Sequence, residues 1–413
     1  MPLRLSRTLI HGIFTVSLPL TTLAQDLPLT LREAVAHAQE RAPTLRGADA
    51  AARAADAGVE VAGLRPNPTL SIEAENVLGT GRYSGFGGAD RTVSLAVPLE
   101  LGGKRQARIN VAQAERAAAG IGLTAARADL TQRVTEAFVR LAAAQRRQDI
   151  ARSALEWAER AAHAAQERVR TGKASPIEEQ RAQVLKLGAD TRFGKAVRAL
   201  ALAHADLTQL TGDAALAISA SWFDTVAPVE SAPFGQPSLS VVAAQAQLAI
   251  ANARVDAARR DRMPDVTITA GTRRYGDSPD KAAVLSLSIP LPLFNSGSGA
   301  LVRAKAQADQ ANAEGESAAI EAQQALAHAV ADVADARAVA QTAAGPALIA
   351  AQEAARIARL GYAEGKFPQL EMIEAERSLA ETREAALEAL TDYHLAQVRL
   401  ARLQGSIQPI YKD

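Results

Sequence analysis

Four short segments of the chain alternate apolar and polar side chains, and the long segments between them repeat their apolar residues every three or four positions. Leu70, Ile72 and Ala74 fall on one side and Ser71, Glu73 and Glu75 on the other; Val93, Leu95 and Val97 likewise oppose Ser94 and Ala96. The pattern returns with Val266, Ile268 and Ala270 against Thr267 and Thr269, then Leu285, Leu287 and Ile289 against Ser286 and Ser288. Period two marks a strand with unlike faces, so these segments predict two β-hairpins, residues 67–99 and 265–291. Residues 104–171 are rich in Ala, Arg, Gln, Glu and Leu and contain no proline. They predict one helix of nearly seventy residues, roughly 100 Å long at the α-helical rise. Residues 301–364 predict a similar helix, kinked at Gly345–Pro346 because proline cannot complete the helical ladder. Shorter helices are predicted over Thr30–Ala62, Pro176–Leu210, Leu239–Arg262 and Pro368–Leu403. Their apolar spacing suits antiparallel coiled-coil packing, and their many alanines permit close approach.

The same order of elements occurs twice, at an offset of about 192 to 196 residues. NPTLSIEA from Asn67 matches MPDVTITA from Met263, and VSLAVPLEL from Val93 matches LSLSIPLPL from Leu285. Gly79, Thr80, Arg82 and Tyr83 match Gly271, Thr272, Arg274 and Tyr275. Gly172–Lys173 matches Gly365–Lys366, and Leu210–Gly212 matches Leu403–Gly405. So long a period indicates duplication of a whole structural unit rather than a solenoid. The chain divides into a first repeat (25–212), an equatorial connector (213–236), a second repeat (237–405) and a C-terminal tail (406–413).

The strand segments have the length and pattern of tilted membrane-barrel strands, though a soluble half-buried sheet alternates as well. An open four-stranded sheet with lipid on its apolar face would leave two unpaired edges in hydrocarbon, where no water satisfies the backbone. Closure calls for several chains, and three would supply twelve strands, an even number within the range of outer-membrane barrels. The expected fold class is α+β: a trimeric twelve-stranded outer-membrane β-barrel, four strands per chain, joined to long antiparallel coiled-coil helices, which the family resemblance given below extends into a periplasmic tunnel. The hairpin loops are Gly-rich and polar and carry Tyr83, Phe86 and Tyr275, as outer loops with interfacial aromatics do. Plain turns account for the glycines equally well.

Composition narrows this picture. Among 413 residues only 4% are aromatic and none is cysteine, too few large groups to fill several thick cores. Lys and Arg number 46 against 45 Asp and Glu, mixed along the chain, which gives no support to nucleic acid as a partner. Residues 1–24 place Arg4 and Arg7 before an apolar run from Leu9 to Leu23 and the small Ala24, the form of a cleaved signal peptide. An uncleaved membrane anchor would need a longer run, unbroken by Pro19.

Each long helix ends in Gly-Lys and turns into the next. The turns are Gly172, Lys173, Ala174 and Ser175 in the first repeat and Gly365, Lys366, Phe367 and Pro368 in the second. Gly172 and Gly365 suit helix C-caps, and Ser175 with Pro176 gives the N-cap and N1 order that starts a helix.

The signal peptide, the duplicated hairpin-plus-long-helix units and the two Gly-Lys turns together resemble the TolC family of trimeric outer-membrane efflux proteins, over essentially the whole mature chain. VPLELGGKR from Val97 and IPLPLFNSGSG from Ile289 resemble the cobalt-zinc-cadmium branch of that family. The resemblance implies a homotrimer in outer-membrane lipid, with a twelve-helix tunnel that meets a periplasmic adaptor (membrane fusion) protein and a proton-driven inner-membrane RND transporter. It implies a passive gated duct for divalent heavy-metal cations. A duct for drugs or secreted polypeptides would share the architecture, and a periplasmic coiled-coil scaffold without a pore is a reading of a different class. The resemblance also places a gate at the turns. The gating tyrosine falls on Tyr362, and the acidic positions six residues after each turn glycine, and nine after the second, fall on Glu178, Glu371 and Glu374. A Tyr362 to Glu178 contact is implied, while Phe367 replaces the arginine of the companion charged link. Carboxylates brought into rings by three chains attract cations; read alone, they are acidic residues near helix starts, where the dipole favours them.

No phosphate-binding loop or nucleophile constellation occurs, so neither an enzyme nor a cofactor is expected. His37, His163, His204, His328 and His394 are scattered one per helix, without metal-ligand spacing, and no resident metal site is expected.

Overall fold

Proline and glycine set the ends of most elements. The computed structural model describes residues 28–213, 217–226, 237–408 and 411. The expected signal peptide and parts of the connector and tail lie outside the described residues. Helix α1 (Leu31–Arg41) opens on a capping box, in which the Thr30 and Glu33 side chains each accept the other residue's backbone N–H. It ends at Ala42, with φ −59° and ψ 120°, the extended conformation favoured before proline. Pro43 then starts α2 (Pro43–Gly63). The single helix expected over Thr30–Ala62 is therefore two.

Helix α3 (Lys104–Arg170) runs unbroken for 67 residues and turns into α4 (Pro176–Thr211). In the second repeat come α5 (Leu239–Arg260), α6 (Ser298–Thr342), α7 (Leu348–Ala363) and α8 (Gln369–Leu403). A π-turn over Ala343–Ala347 joins α6 to α7, with Gly345 at φ −99° and ψ −109° beside Pro346. The wider turn is how this helix accommodates a residue that lacks an N–H and crowds the preceding turn.

Strands β1 (Thr69–Glu75), β2 (Asp90–Leu99), β3 (Val266–Arg274) and β4 (Lys281–Ser288) form one antiparallel sheet in chain order. The register aligns Leu70, Leu95, Ala270 and Leu285 across it, and Val97, Ile268 and Leu287 beside them. All the apolar sets therefore share one face, and that face is bare: Ile72 is 74% and Leu285 79% exposed. On the opposite face Arg273 donates to Thr92 Oγ1 at 3.0 Å and pairs with Glu75 at 2.7 Å. Among the described residues the outer edges of β1 and β4 have no strand beside them. Among the described residues no helix is long and apolar enough to cross a membrane. Gly79–Tyr83, matched in sequence to Gly271–Tyr275, lies in the loop after β1, whereas Gly271–Arg274 continues β3. The first hairpin has the longer loop, so the two copies diverge there.

The helices repeat the order of the strands. Nearest the sheet, α2 packs on α3, α3 on α5 and α5 on α6; farther down, α4 packs on α3, α3 on α8 and α8 on α7. Between α3 and α4 the buried side chains are Ala151, Ala158 and Ala165 on one helix and Ala182, Ala189 and Ala196 on the other, a strict seven-residue spacing whose small side chains let two backbones run close. At every level a first-repeat element (β1, α2, α4) forms one flank and a second-repeat element (β4, α6, α7) the other. Both flanks leave large apolar side chains exposed: Val61, Val184 and Leu187 on one, Val302, Ile349 and Ile357 on the other.

Halfway along α3 the section thickens around an aromatic cluster. Leu29 pairs in parallel with Ile218, which draws residues 217–226 against α1. Trp222 stacks on Tyr411 with centroids 3.8 Å apart, and Phe138, Phe223 and Tyr393 are fully buried. His394 of α8 joins them: Nε2 donates to the Phe223 carbonyl at 2.8 Å, and Nδ1 lies 2.8 Å from the Tyr411 hydroxyl. Burial lowers the His394 pKa, against the hydrogen bond to Phe223, which favours the charged form. Because the unfolded chain then takes up a proton that the native cluster resists, this stability is present above the ordinary histidine pKa of about 6.5 and is lost as pH falls through it. In a Trp157→Phe background, the urea midpoint read by Trp222 fluorescence should fall between pH 8 and pH 5. His394→Gln should flatten that dependence, and an equally steep profile in this variant would contradict the assignment.

Candidate functional site

The α3–α4 and α7–α8 hairpins end in two turns of the same construction, about 100 Å of helix away from the sheet. After α3, Gly172 adopts φ 71°; its N–H bonds to the Val169 carbonyl at 2.9 Å and that of Lys173 to the Arg168 carbonyl at 2.8 Å. After α7, Gly365 adopts φ 74°; its N–H bonds to the Tyr362 carbonyl at 3.0 Å and that of Lys366 to the Gly361 carbonyl at 2.7 Å. Both are Schellman motifs, in which glycine takes the left-handed conformation without a Cβ penalty. Ser175 and Pro368 are the N-caps of α4 and α8, each three residues past its glycine. Ser175 makes no side-chain cap bond; its carbonyl accepts from the Glu178 N–H at 2.9 Å. Pro368, expected inside α8, stands just before it.

Glu178 and Glu371 therefore occupy the third position of α4 and of α8, at the positive end of each helix. Glu178 is half-buried, and Glu371 and Glu374 are exposed. Within one chain none of the three side chains forms an ion pair or hydrogen bond among the described residues, and no bond joins Tyr362 to Glu178. The half-buried Tyr362 ring instead lies under the Arg168 guanidinium, 5.2 Å from centroid to Cζ.

Phe367, at the position where an arginine was expected, packs on Gly361. A Cβ at residue 361 would lie 2.1 Å from Phe367 Cδ2, so the ring requires glycine there. Behind this contact Arg359 of α7 pairs with the buried Glu376 of α8, and the hydrogen bond between them raises the Arg359 pKa. Sequence reasoning missed Arg168, Gly361 and Glu376. A signal existed for two of them, because Arg168 and Gly361 stand at the same place, four residues before their turn glycines.

A sheet with one apolar and one polar face, two unpaired edges and helical hairpins whose tips lie about 100 Å of helix from it defines the class of outer-membrane duct proteins. The chain belongs to the outer membrane efflux protein family, which matches residues 34–213 and 236–406, one segment per repeat. It is an outer-membrane channel component of an efflux system. The chain is 32% identical to the cobalt-zinc-cadmium resistance protein CzcC of Cupriavidus metallidurans over 384 residues, 92% of this chain and 90% of that one. The nickel and cobalt resistance protein CnrC of the same organism is 30% identical over 71% of each chain. Among solved structures the outer membrane protein VceC of Vibrio cholerae superposes with a TM-score of 0.75 at 21% identity, over 91% of this chain and 96% of that one, a likeness of fold.

The tip packing makes a specific prediction. Gly361→Ala should dislodge Phe367 and cost about 1–3 kcal/mol of local stability, as overpacking does. Amide hydrogen exchange should speed up across residues 361–370, and adding Phe367→Ala should restore most of the protection. Unchanged exchange in Gly361→Ala would contradict the contact.

Proposed function

We propose that three copies of this chain close a twelve-stranded barrel and a helical tunnel that serve as the passive exit duct for divalent heavy-metal cations. The duct works with a periplasmic adaptor and an inner-membrane RND transporter, which supplies the energy. The likeness to metal-resistance proteins, over 92% of the chain for CzcC and 71% for CnrC, carries the choice of cargo. Trimeric closure is supported by the flank order. A β4 edge running antiparallel to the β1 edge of the next copy pairs both, and the same rotation sets α6 and α7 beside α2 and α4. Such a head-to-tail contact yields a closed ring.

In this reading the turns Gly172–Ser175 and Gly365–Pro368 face the adaptor, and Glu178, Tyr362, Glu371 and Glu374 line the gate. Carboxylates repeated around a three-fold axis raise the local cation concentration and repel anions. The exposure of Glu371 and Glu374 supports that role, since solvated carboxylates can exchange cations without being desolvated first.

Deleting the gene should sensitise cells to zinc, cobalt and cadmium salts and leave resistance to hydrophobic drugs intact; sensitivity to drugs alone would replace the cargo. In planar bilayers the triple variant Glu178→Gln, Glu371→Gln and Glu374→Gln should lower the cation-to-anion permeability ratio several-fold. An unchanged ratio would remove the carboxylates from the gate.

A further inference from the structure

We infer that Arg168 is the latch of the duct: its guanidinium holds the Tyr362 ring and so keeps the two helical hairpins of each copy together at their tips. The inference rests on the tip being the gate, as proposed above, and adds a residue and an interaction to it.

Three observations on the chain lead there. First, α3 packs on α8, but near the tips the polar and ring contacts of side chains lie almost all within each hairpin. Within the first, Lys186 of α4 reaches Glu159 of α3; within the second, Arg359 pairs with Glu376 and Phe367 lies on Gly361. Between the hairpins, Arg147 of α3 meets Glu384 of α8 much farther from the turns, at 3.0 Å. Beyond that point, among the described residues, Arg168 over Tyr362 is the one ion pair, side-chain hydrogen bond or ring contact that bridges them.

Second, the guanidinium is arranged to act through its face. Its Nε is buried and has no hydrogen-bond partner, and no carboxylate pairs with it among the described residues. A guanidinium with few polar partners keeps its attraction for an aromatic quadrupole, which a salt bridge would compete for. Third, the site is asymmetric between the repeats. Arg168 and Gly361 occupy equivalent turn positions, so the first hairpin extends a long cation where the second has no side chain. The latch comes from one hairpin and its keeper, Tyr362, from the residue beside Gly361 on the other.

The consequence for gating is that the ring of Tyr362, more than its hydroxyl, holds the tips. A cation–π contact at a part-exposed site shifts an equilibrium roughly two- to fivefold. With three copies opening together, the combined shift is on the order of tenfold or more.

Single-channel conductance of the full-length trimer in planar bilayers tests this, with trimer integrity checked by heat-modifiable mobility on gels. Arg168→Gln and Tyr362→Leu should each raise open probability about tenfold, and the double variant should go no further than either alone. Tyr362→Phe should stay close to the parent chain, because it keeps the ring, and Arg168→Lys should fall between Arg and Gln. If Tyr362→Phe opens the duct as fully as Tyr362→Leu, the hydroxyl does the holding and the latch is overturned. It is overturned as well, with the gate intact, if Tyr362→Leu opens the duct and Arg168→Gln does not. Should no tip substitution, including the glutamate variants above, change conductance in intact trimers, the gate reading itself fails and takes the latch with it.

Discussion

The unpaired backbone edges of β1 and β4 constrain everything else in this molecule. In a sheet whose apolar face carries Leu70, Ile72, Leu285 and Leu287 into solvent, those edges cannot meet lipid unsatisfied. Four antiparallel strands leave edges running in opposite directions, so the β4 edge of one copy can complete the β1 edge of the next without reversing the pattern. The remainder of the chain obeys the same geometry. Helices α2 and α4 stay on the β1 side and α6 and α7 on the β4 side, so one rotation satisfies sheet and helices at once.

Duplication explains why this works with so few large side chains. Alanine at seven-residue spacing brings α3 and α4 close enough to gain dispersion contacts along the backbone itself. Bulky groups are then needed only where the section thickens, and there the chain concentrates Phe138, Trp222, Phe223, Tyr393 and Tyr411 around His394. This cluster ties α3 and α8 to residues 217–226 and to Tyr411, so described parts of the chain that are not duplicated are held by aromatic side chains of both repeats.

Much of the fold was legible because it depends on period and punctuation. Alternation at Val93, Leu95 and Val97 and at Leu285 and Leu287 marks strands whatever surrounds them, and a proline-free run from Lys104 onward marks a helix. The break at Ala42 was legible too, through Pro43, but the strong helical pattern on either side hid it. Register across the sheet was not, since the match of Gly79 with Gly271 follows residue identity, whereas pairing with β2 extends β3 as far as Arg274. At the tips the sequence marked Gly172, Gly365 and Tyr362. The resemblance gave Tyr362 the partner Glu178, whereas the ring lies under Arg168; the equivalence of Arg168 and Gly361 marks a place in the turn but not a contact between helices nearly two hundred residues apart.

The two turns show how one inherited motif acquires two tasks. Their backbone bonds are the same, so both hairpins end in a rigid turn. Their side chains differ where the motif tolerates change. In the second turn, glycine at 361 admits Phe367 and closes the hairpin on itself, helped by the Arg359–Glu376 pair that fastens α7 to α8. In the first, arginine at 168 spends its contacts outward, on the neighbouring hairpin. In the gate proposed above, a rigid second hairpin and a reaching first one let each move as a body, while the force between them stays weak enough to break. A single cation–π contact per copy meets that condition, whereas a fully buried ion pair at the same place would resist opening through the cost of leaving a charge unpaired.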